Sequence, residues 1–487
     1  MMTPDLLRLS REGGGPFQLR LIGAPVLNCA EIVRRIADRR LVCRGTWNDQ
    51  PVYAKIFIGE HAVRYAERDA RGAKALAQHD IATPVLLHVG DSAKAAAKIL
   101  IYAAIADSRD AELAWQSASP AQRSQLAAEL VSTVARHHVA GLVQTDLYLR
   151  NFLCADRLYT LDGDGIRISS GPIPWSRAMP NLALLLSKFD VEDDTRIPDF
   201  LSIYTAQRGW QASSGMLSGL KKQVGITRLS IACQYAQKKV LRDCTDVRVL
   251  QDFGRFMAVS RAQQHDSLAN ILATPDAWLD SPDCRRMKNG NTCTVGLVTA
   301  GNKKVVIKRY NIKNLRHGMG RLWRPTRAGV SWSNAHLLRM LGIATAQPLA
   351  LIESRWGPLR REGYFLAEYV DGPDIAEVFA DTCLDAQYKQ EVATKVARLL
   401  HRLYLLGLEH GDFKATNLKI VDGEPLLIDL DAMRLHRKTA WFEKRHARDL
   451  RRFMKNWQHD PATLELMKNA IEAAYQSAPI LKIAGID

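Results

Sequence analysis

Apolar positions along this chain follow two periods, and the order in which the periods succeed one another occurs twice. Short runs with strand-like alternation come first: 40–47 (RLVCRGTW) and 51–59 (PVYAKIFIG) in one half, 293–310 (CTVGLVTAGNKKVVIKRY) in the other. A helical stretch then leads to a shared tripeptide, Ile81-Ala82-Thr83 and Ile343-Ala344-Thr345. Apolar strands follow at 97–105 (AKILIYAAI) and 363–370 (GYFLAEYV). Each half then reads as one long helix, 121–141 and 388–407, with apolar residues three and four apart and a terminal glycine suited to a C-cap. Residues 175–265 read as polar-amphipathic helix that completes the first helical lobe, and 281–291 (SPDCRRMKNGN) as a linker. The expected fold class is α+β. Two tandem domains, 1–270 and 271–487, each have a small β-rich N-lobe and a larger helical C-lobe. A period of about half the chain points to duplicated domains rather than a solenoid.

The chemistry-bearing residues sit at matching places in the two halves. Residues 144–164 read QTDLYLRNFLCADRLYTLDGD and 410–431 read HGDFKATNLKIVDGEPLLIDLD. In each, an Asp (Asp146; Asp412) is followed five residues later by an Asn (Asn151; Asn417), then by an apolar run ending in a second Asp (Asp162; Asp429). A lysine lies in a strand-like run upstream: Lys55 in VYAKIF and Lys308 in VVIKRY. Phosphoryl transfer needs these parts. A lysine holds nucleotide phosphates, a loop Asp orients or deprotonates the attacking hydroxyl, and an Asn with a further Asp holds Mg²⁺. Taken singly each residue is ordinary, since a strand lysine is usually a surface group and an Asp after a helix usually a turn residue. Two complete sets in one order lead to a protein-kinase-like fold for both domains.

Composition changes the picture in three ways. A hydrophobic fraction of 47% supports sizeable cores, and no apolar run reaches the ~18 residues of a membrane-spanning helix. The first residues lack a basic region followed by an apolar one, so a secretory signal is not expected. Eight scattered cysteines without a CxxC pair argue against a zinc ribbon or a disulfide framework and suit reduced thiols in a cytoplasmic protein. The net charge of +16 gathers at Arg34, Arg35, Arg39 and Arg40, at Lys238, Lys239 and Arg242, and along 313–327 and 434–452. Such charge suits an anionic partner, or else is a solvated face. With no zinc finger or RNP-like strand motif, nucleic acid is not expected, and an anionic membrane surface or glycolipid ranks above it.

The segments HGDFKATNLKI and LLIDLDAMR, after LLHRLYLLGLEH, resemble the lipopolysaccharide core kinases, the heptose and Kdo kinases related to protein kinases. The first half, with HHVAGLVQTDLYLRNFL and LDGDGI, resembles them more loosely. The resemblance implies ATP and Mg²⁺ as cofactors. It further implies transfer to a sugar hydroxyl of the inner core, with the glycolipid as partner, at the cytoplasmic face of the inner membrane. By position it makes Lys308 the α/β-phosphate contact, Asp412 the base, and Asn417 and Asp429 the metal ligands. Lys414 would sit on the transferring phosphate and His410 would brace the loop. The first half offers Lys55, Asp146, Asn151 and Asp162, with Glu67 or Asp69 as the acid partner of Lys55 and Glu67 taken first. Asp164 and Asp431 are expected to cap the following segments rather than ligate.

The halves depart from the pattern. Neither has a GxGxxG loop; RGTW (44–47) and VGLVTAG (295–301) are weak substitutes. No acid occurs in 329–341 to pair with Lys308. Gln144 replaces the loop histidine and Tyr148 stands where the second half has Lys414. The second half is the fuller set. Arg316–Arg327 is a candidate glycolipid- or phosphate-binding edge. Two other readings stay open. One is a small-molecule kinase of the aminoglycoside or choline type, which the positive charge disfavours because such acceptors are cationic. The other is a pseudokinase scaffold in lipopolysaccharide assembly.

Overall fold

The computed structural model describes residues 5–93, 96–264, 266–290, 292–311, 325–357, 359–476 and 478–486. Most of the basic stretch Arg316–Arg327 lies outside these residues, which resume at Pro325. The chain divides into two compact units, Met1–Phe189 with Asp193–Thr227, and Asp190–Glu192 with Arg228–Asp487. Both mix α and β structure.

In the first unit, strands β1 (Phe17–Leu21), β2 (Ala24–Ile36), β3 (Arg40–Trp47), β4 (Gln50–Ile58), β5 (Leu86–Asp91) and β6 (Ala97–Ala103) form one sheet in the order β1-β2-β3-β4-β6-β5. Its neighbours are antiparallel. Side chains alternate between faces along a strand. Val52, Ala54 and Ile56 of β4 therefore enter one core with Leu27, Leu41 and Ile99. Phe57 faces the other way, onto helix α1 (Ala62–Gln78), where Ala62, Ala66, Ala70 and Ala73 form an apolar stripe. Lys55 shares the face of Phe57 and so points toward α1. A helical core follows, built on α2 (Pro120–Val139) and helices Trp175–Leu186 and Ile197–Gln207. A complete capping box between Ser119 and Gln122 starts α2.

In the second unit, strands β7 (Val247–Gln251), β8 (Arg255–Ser260), β9 (Arg285–Gly290), β10 (Cys293–Ala300), β11 (Lys303–Tyr310), β12 (Pro348–Trp356) and β13 (Leu359–Glu368) form a sheet in the order β7-β8-β12-β13-β11-β10-β9. Helix α3 (Arg327–Met340) packs on it, burying Trp332 beside Tyr310, Ala328 and Leu351. The helical core is built on α4 (Ala386–Leu406), α5 (Ala440–Met454) and helix Pro461–Tyr475. Asp385 caps the start of α4 by accepting from Tyr388 N, and Gly407 ends it in the left-handed conformation at φ 73°.

Three sequence expectations are corrected here. Residues 175–265 are helical only as far as Gln237; 247–260 form the hairpin β7–β8, which pairs with β12 of the second unit. The division accordingly falls near 227/228 rather than at 270/271. Residues 285–290 of the expected linker are strand β9. A short edge hairpin with mixed polarity shows its allegiance only through pairing with a strand ninety residues later.

The shared tripeptides fasten sheet to helical core within each unit. Thr83 Oγ1 donates to Thr160 O at 2.9 Å, and Thr160 N to Ala82 O at 2.7 Å. Thr345 Oγ1 donates to Leu427 O at 2.7 Å, and Leu427 N to Ala344 O at 3.0 Å. Thr160 and Leu427 each lie two residues before the second Asp of the motif, so the latch fixes that Asp relative to the sheet.

The cores also hold buried neutral histidines. Burial pushes His137 down to about 3, His138 and His336 to about 4 and His446 to about 3. Their folded values lie below the unfolded 6.5, so the associated stability is full above pH 6.5 and is lost as pH falls toward 4. Thermal unfolding temperature is expected to drop steadily across that window, and His137→Gln to make the slope shallower; a flat profile from pH 6.5 to 4 would contradict the assignment.

Candidate active site

Strand β11 carries Lys308 at the face turned to the helical half of the second unit. Its ammonium forms an ion pair with Asp429, and both are partly buried. Burial lowers the lysine's pKa, but Tyr310, Asp429 and Asp431 outweigh it and hold the group above its ordinary value. Burial likewise raises Asp429, and Lys308 more than reverses this. Asp429 is in the left-handed region at φ 62°, a conformation disfavoured for a residue with a Cβ and best tolerated by Asp and Asn. The tripeptide latch just before it restrains this turn.

The loop that carries Asp412 is braced from two sides. His410 is buried and its Nε2 donates to Ile428 O at 3.2 Å, joining the loop to the residue before Asp429. The carboxylate of Asp449, on α5, accepts the backbone N–H groups of His410 and Gly411 at 2.8 and 3.1 Å. Burial pushes Asp449 up to about 6. Gly411 has φ 80°, and a Cβ there would lie 2.8 Å from Ala432 O, so only glycine fits. Asn417 Nδ2 donates to Asp412 O at 2.9 Å, and Arg452 of α5 pairs with the Asp412 carboxylate. Lys414 Nζ stands 3.9 Å from Asp412 Oδ2.

A cavity of about 210 Å³ is bounded by Lys308, Asn417 and Asp429 together with Val295, Val306 and the chain segment Ala367–Val370. Asp412 and Lys414 are outside its lining. The donors Asn417 and Asp429 offer hard oxygen atoms beside one cavity, which is the chemistry Mg²⁺ prefers.

The first unit holds its own set. Lys55 Nζ pairs with Asp69 Oδ2 at 2.6 Å and with Asp162 Oδ1 at 3.2 Å. Burial lowers Lys55, and Asp69 and Asp162 together reverse this. Burial raises Asp162, but Lys55 and Arg40 bring it down to about 2. Asp162 repeats the left-handed backbone at φ 64°. Asn151 Nδ2 donates to Asp146 O at 2.8 Å, and burial followed by Asp162 raises the Asp146 pKa. A cavity of about 490 Å³ includes Lys55, Asn151 and Asp162 in its lining but not Asp146.

Glu67 is not the partner of Lys55. It is exposed on the far side of α1, whereas Asp69 is fully buried on the stripe that contains Ala62, Ala66 and Ala73. A helix turns 100° per residue, so two positions separate an inward acid from an outward one. The helix can come this close because Gly72 meets the loop directly: a Cβ there would lie 2.0 Å from Gly163 O. In the second unit α3 supplies no acid to Lys308; Ser331 occupies the interface, bonded to Tyr310 OH at 2.8 Å. Asp164 and Asp431 do not cap the next segment. They lie inside the turns after Asp162 and Asp429 and pair with Arg68 and Arg327, each on the neighbouring helix.

The glycine-loop candidates are also displaced. RGTW ends at the β3–β4 turn and VGLVTAG at the β10–β11 turn, whereas the turn that follows β2, at 37–39, and the close of the β9–β10 pairing, at Gly290 and Cys293, lie at the opposite ends of those strands. Sequence reasoning missed Asp449, hidden within the basic run 434–452, and missed that much of this run is structural. Arg445, Arg448 and His436 all hold the buried Glu409. It also counted Gln144 as a defect. Gln144 Nε2 donates to Leu161 O at 3.2 Å, the same bridge to the residue before the second Asp that His410 makes.

Residues 269–475 match the family model of the lipopolysaccharide kinase (Kdo/WaaP) family. The matched residues all lie in the second unit. No curated protein matches the chain. Among solved structures, a rhoptry kinase from Toxoplasma gondii is similar at 12% identity, covering 46% of this chain and 81% of its own, with a TM-score of 0.31.

The Lys55–Asp69 assignment predicts unequal effects of two neighbouring acids. Asp69→Ala removes one of the two carboxylates that hold Lys55 and leaves the buried Tyr102 OH unpaired, and is expected to cost about 1–3 kcal/mol. Glu67→Ala is expected to stay within about 0.5 kcal/mol, as for an exposed position. Denaturant titration of the two variants checks this, and equal effects would overturn the pairing.

Proposed function

We propose that this chain is an ATP-dependent kinase that phosphorylates a heptose or Kdo sugar of the lipopolysaccharide inner core. In this reading both units are protein-kinase-like domains, and the second performs the transfer. The observation that carries it is the Lys308–Asp429 pair beside Asn417, facing a doubly braced Asp412 loop within residues of the Kdo/WaaP family.

Asp412 would accept the proton of the sugar hydroxyl as its oxygen attacks the γ-phosphorus of ATP, breaking the bond to the β-phosphate oxygen. Its carboxylate is oriented by Arg452 and its backbone by Asn417. Lys414, 3.9 Å from the Asp412 carboxylate, would meet charge on the transferring phosphoryl group. Lys308 would leave Asp429 for the nucleotide phosphates. Asn417 and Asp429 would hold Mg²⁺, which neutralises phosphate charge. The apolar walls Val295 and Val306 and the segment Ala367–Val370 suit an adenine ring. The net charge of +16 favours an anionic glycolipid over a cationic amine acceptor. Among the described residues no helix is long and apolar enough to cross a membrane. Peripheral binding at the cytoplasmic face of the inner membrane is part of the same proposal.

The test is mass spectrometry of core oligosaccharide phosphate in cells lacking the gene, complemented with wild type, Asp146→Ala or Asp412→Ala. One phosphate is expected to be missing from the null strain, restored by wild type and Asp146→Ala, and reduced about 10²–10⁴-fold in rate with Asp412→Ala, the range of a lost general base. An unchanged phosphate pattern in the null strain would reject the acceptor.

A further inference from the structure

The cavity of the first unit has a cationic wall that its kinase-type residues do not explain. Arg34, Arg40 and Arg150 line it together with Lys55. Arg34 lies near the end of β2 and Arg40 begins β3, so both cavity-lining arginines flank the β2–β3 turn; protein kinases cover the nucleotide phosphates with a glycine-rich loop instead. Arg150 comes from the Asp146–Asn151 loop. Arg40 is 8% exposed, yet its Nε has no hydrogen-bond partner. Among the described residues Arg34 and Arg150 form no side-chain hydrogen bond, although Arg150 lies over the Tyr148 ring.

Among the described residues the one ion pair between these arginines and an acid is that of Arg40 with Asp162, while Asp146 acts on Arg34 and Arg150 only through its charge. Asp110 accepts Leu113 N as a helix cap. Asp69, just behind the wall, is consumed by Lys55 and Tyr102 OH. Asp162 already has two cations, Lys55 at 3.2 Å and Arg40 at 3.7 Å. Among the described residues Asp429 of the second unit pairs with one cation, Lys308. A divalent ion on Asp162 would have to displace Arg40 and then face Arg34 and Arg150, so the residues present do not fit Mg²⁺ here. They fit an extended polyanion. Guanidinium forks bind phosphate oxygens in pairs and keep their charge at any physiological pH. Apolar Val33, Val42, Ile105, Leu153 and Leu161 complete the wall and offer a slot for a flat base.

We propose that the first unit holds a nucleoside di- or triphosphate without a divalent cation, its phosphates bound by Arg34, Arg40 and Arg150 in place of a glycine loop and metal. This rests on the kinase-like reading of both units. The second unit then works as the metal-dependent kinase, and the first as a nucleotide-binding partner domain.

Calorimetric titration of the full chain with a non-hydrolysable ATP analogue tests it, in Mg²⁺ and again in EDTA. Two sites are expected in Mg²⁺ and one in EDTA. The EDTA-resistant site should weaken at least tenfold in Arg34→Ala/Arg150→Ala and be unchanged in Lys308→Ala. Both arginines are exposed, so the double variant keeps the fold, which its unfolding temperature verifies. A single Mg²⁺-dependent site abolished by Lys308→Ala would overturn this inference and leave the kinase reading standing. No binding under any condition would remove both. Inorganic tripolyphosphate binding the EDTA-resistant site as tightly as the analogue would reject a nucleotide in favour of a bare anion.

Discussion

Each unit depends on one partly buried lysine–aspartate pair that spans sheet and helical core, Lys55 with Asp162 and Lys308 with Asp429. Removing an ammonium and a carboxylate from water is expensive unless they meet with good geometry. The pair therefore demands that a strand and a loop 107 to 121 residues apart in sequence be held in register. Much of the local architecture serves that demand. The tripeptide latches fix the strand before each Asp. The left-handed backbone at Asp162 and Asp429 aims the carboxylates, and the arginines Arg68 and Arg327 pin the turns that follow. A phosphate chain would replace the carboxylate at the lysine, so the same electrostatic need that stabilises the folded protein prepares the site for an anionic ligand.

The units satisfy that need differently, and the difference underlies the separate roles proposed for them. In the second, Lys308 pairs with one carboxylate among the described residues, that of Asp429, and the Asp412 loop is clamped by His410 and Asp449. In the first, Lys55 is anchored by Asp69 and Asp162 is shared with Arg40, so the carboxylate that would take a metal is already neutralised. Gln144 preserves the loop brace without a titratable ring. Tyr148 stands where the second unit has Lys414, and Lys188 rather than a loop lysine lies over its ring.

Much of this was legible in the chain. The Asp–Asn–Asp spacing and the upstream lysines located the residues that converge in each unit, because short loops and strands translate sequence spacing directly into geometry. What escaped was phase and partnership. Asp69 and Glu67 differ only in which side of a helix they occupy, and in an alanine-rich helix the inward stripe gives little contrast. Asp449 looked like one acid in a basic run until its carboxylate was found on the His410 and Gly411 amides. Strand β9 resembled a linker because an edge strand needs few apolar residues, and the hairpin β7–β8 revealed its unit only by pairing with β12. Gln144 departs from the expected histidine in identity yet supplies the same N–H, which a residue-type comparison cannot show.

The central claim is that Asp429, held by Lys308, is the seat of phosphoryl transfer. The most direct measurement is the rate of γ-phosphate transfer from ATP to purified core oligosaccharide by the full chain and by Asp429→Asn, with unfolding temperature recorded for both. The account predicts a loss of about two orders of magnitude or more in a folded variant, as when a charge-stabilising group leaves an active site. Transfer by Asp429→Asn at the wild-type rate would contradict it.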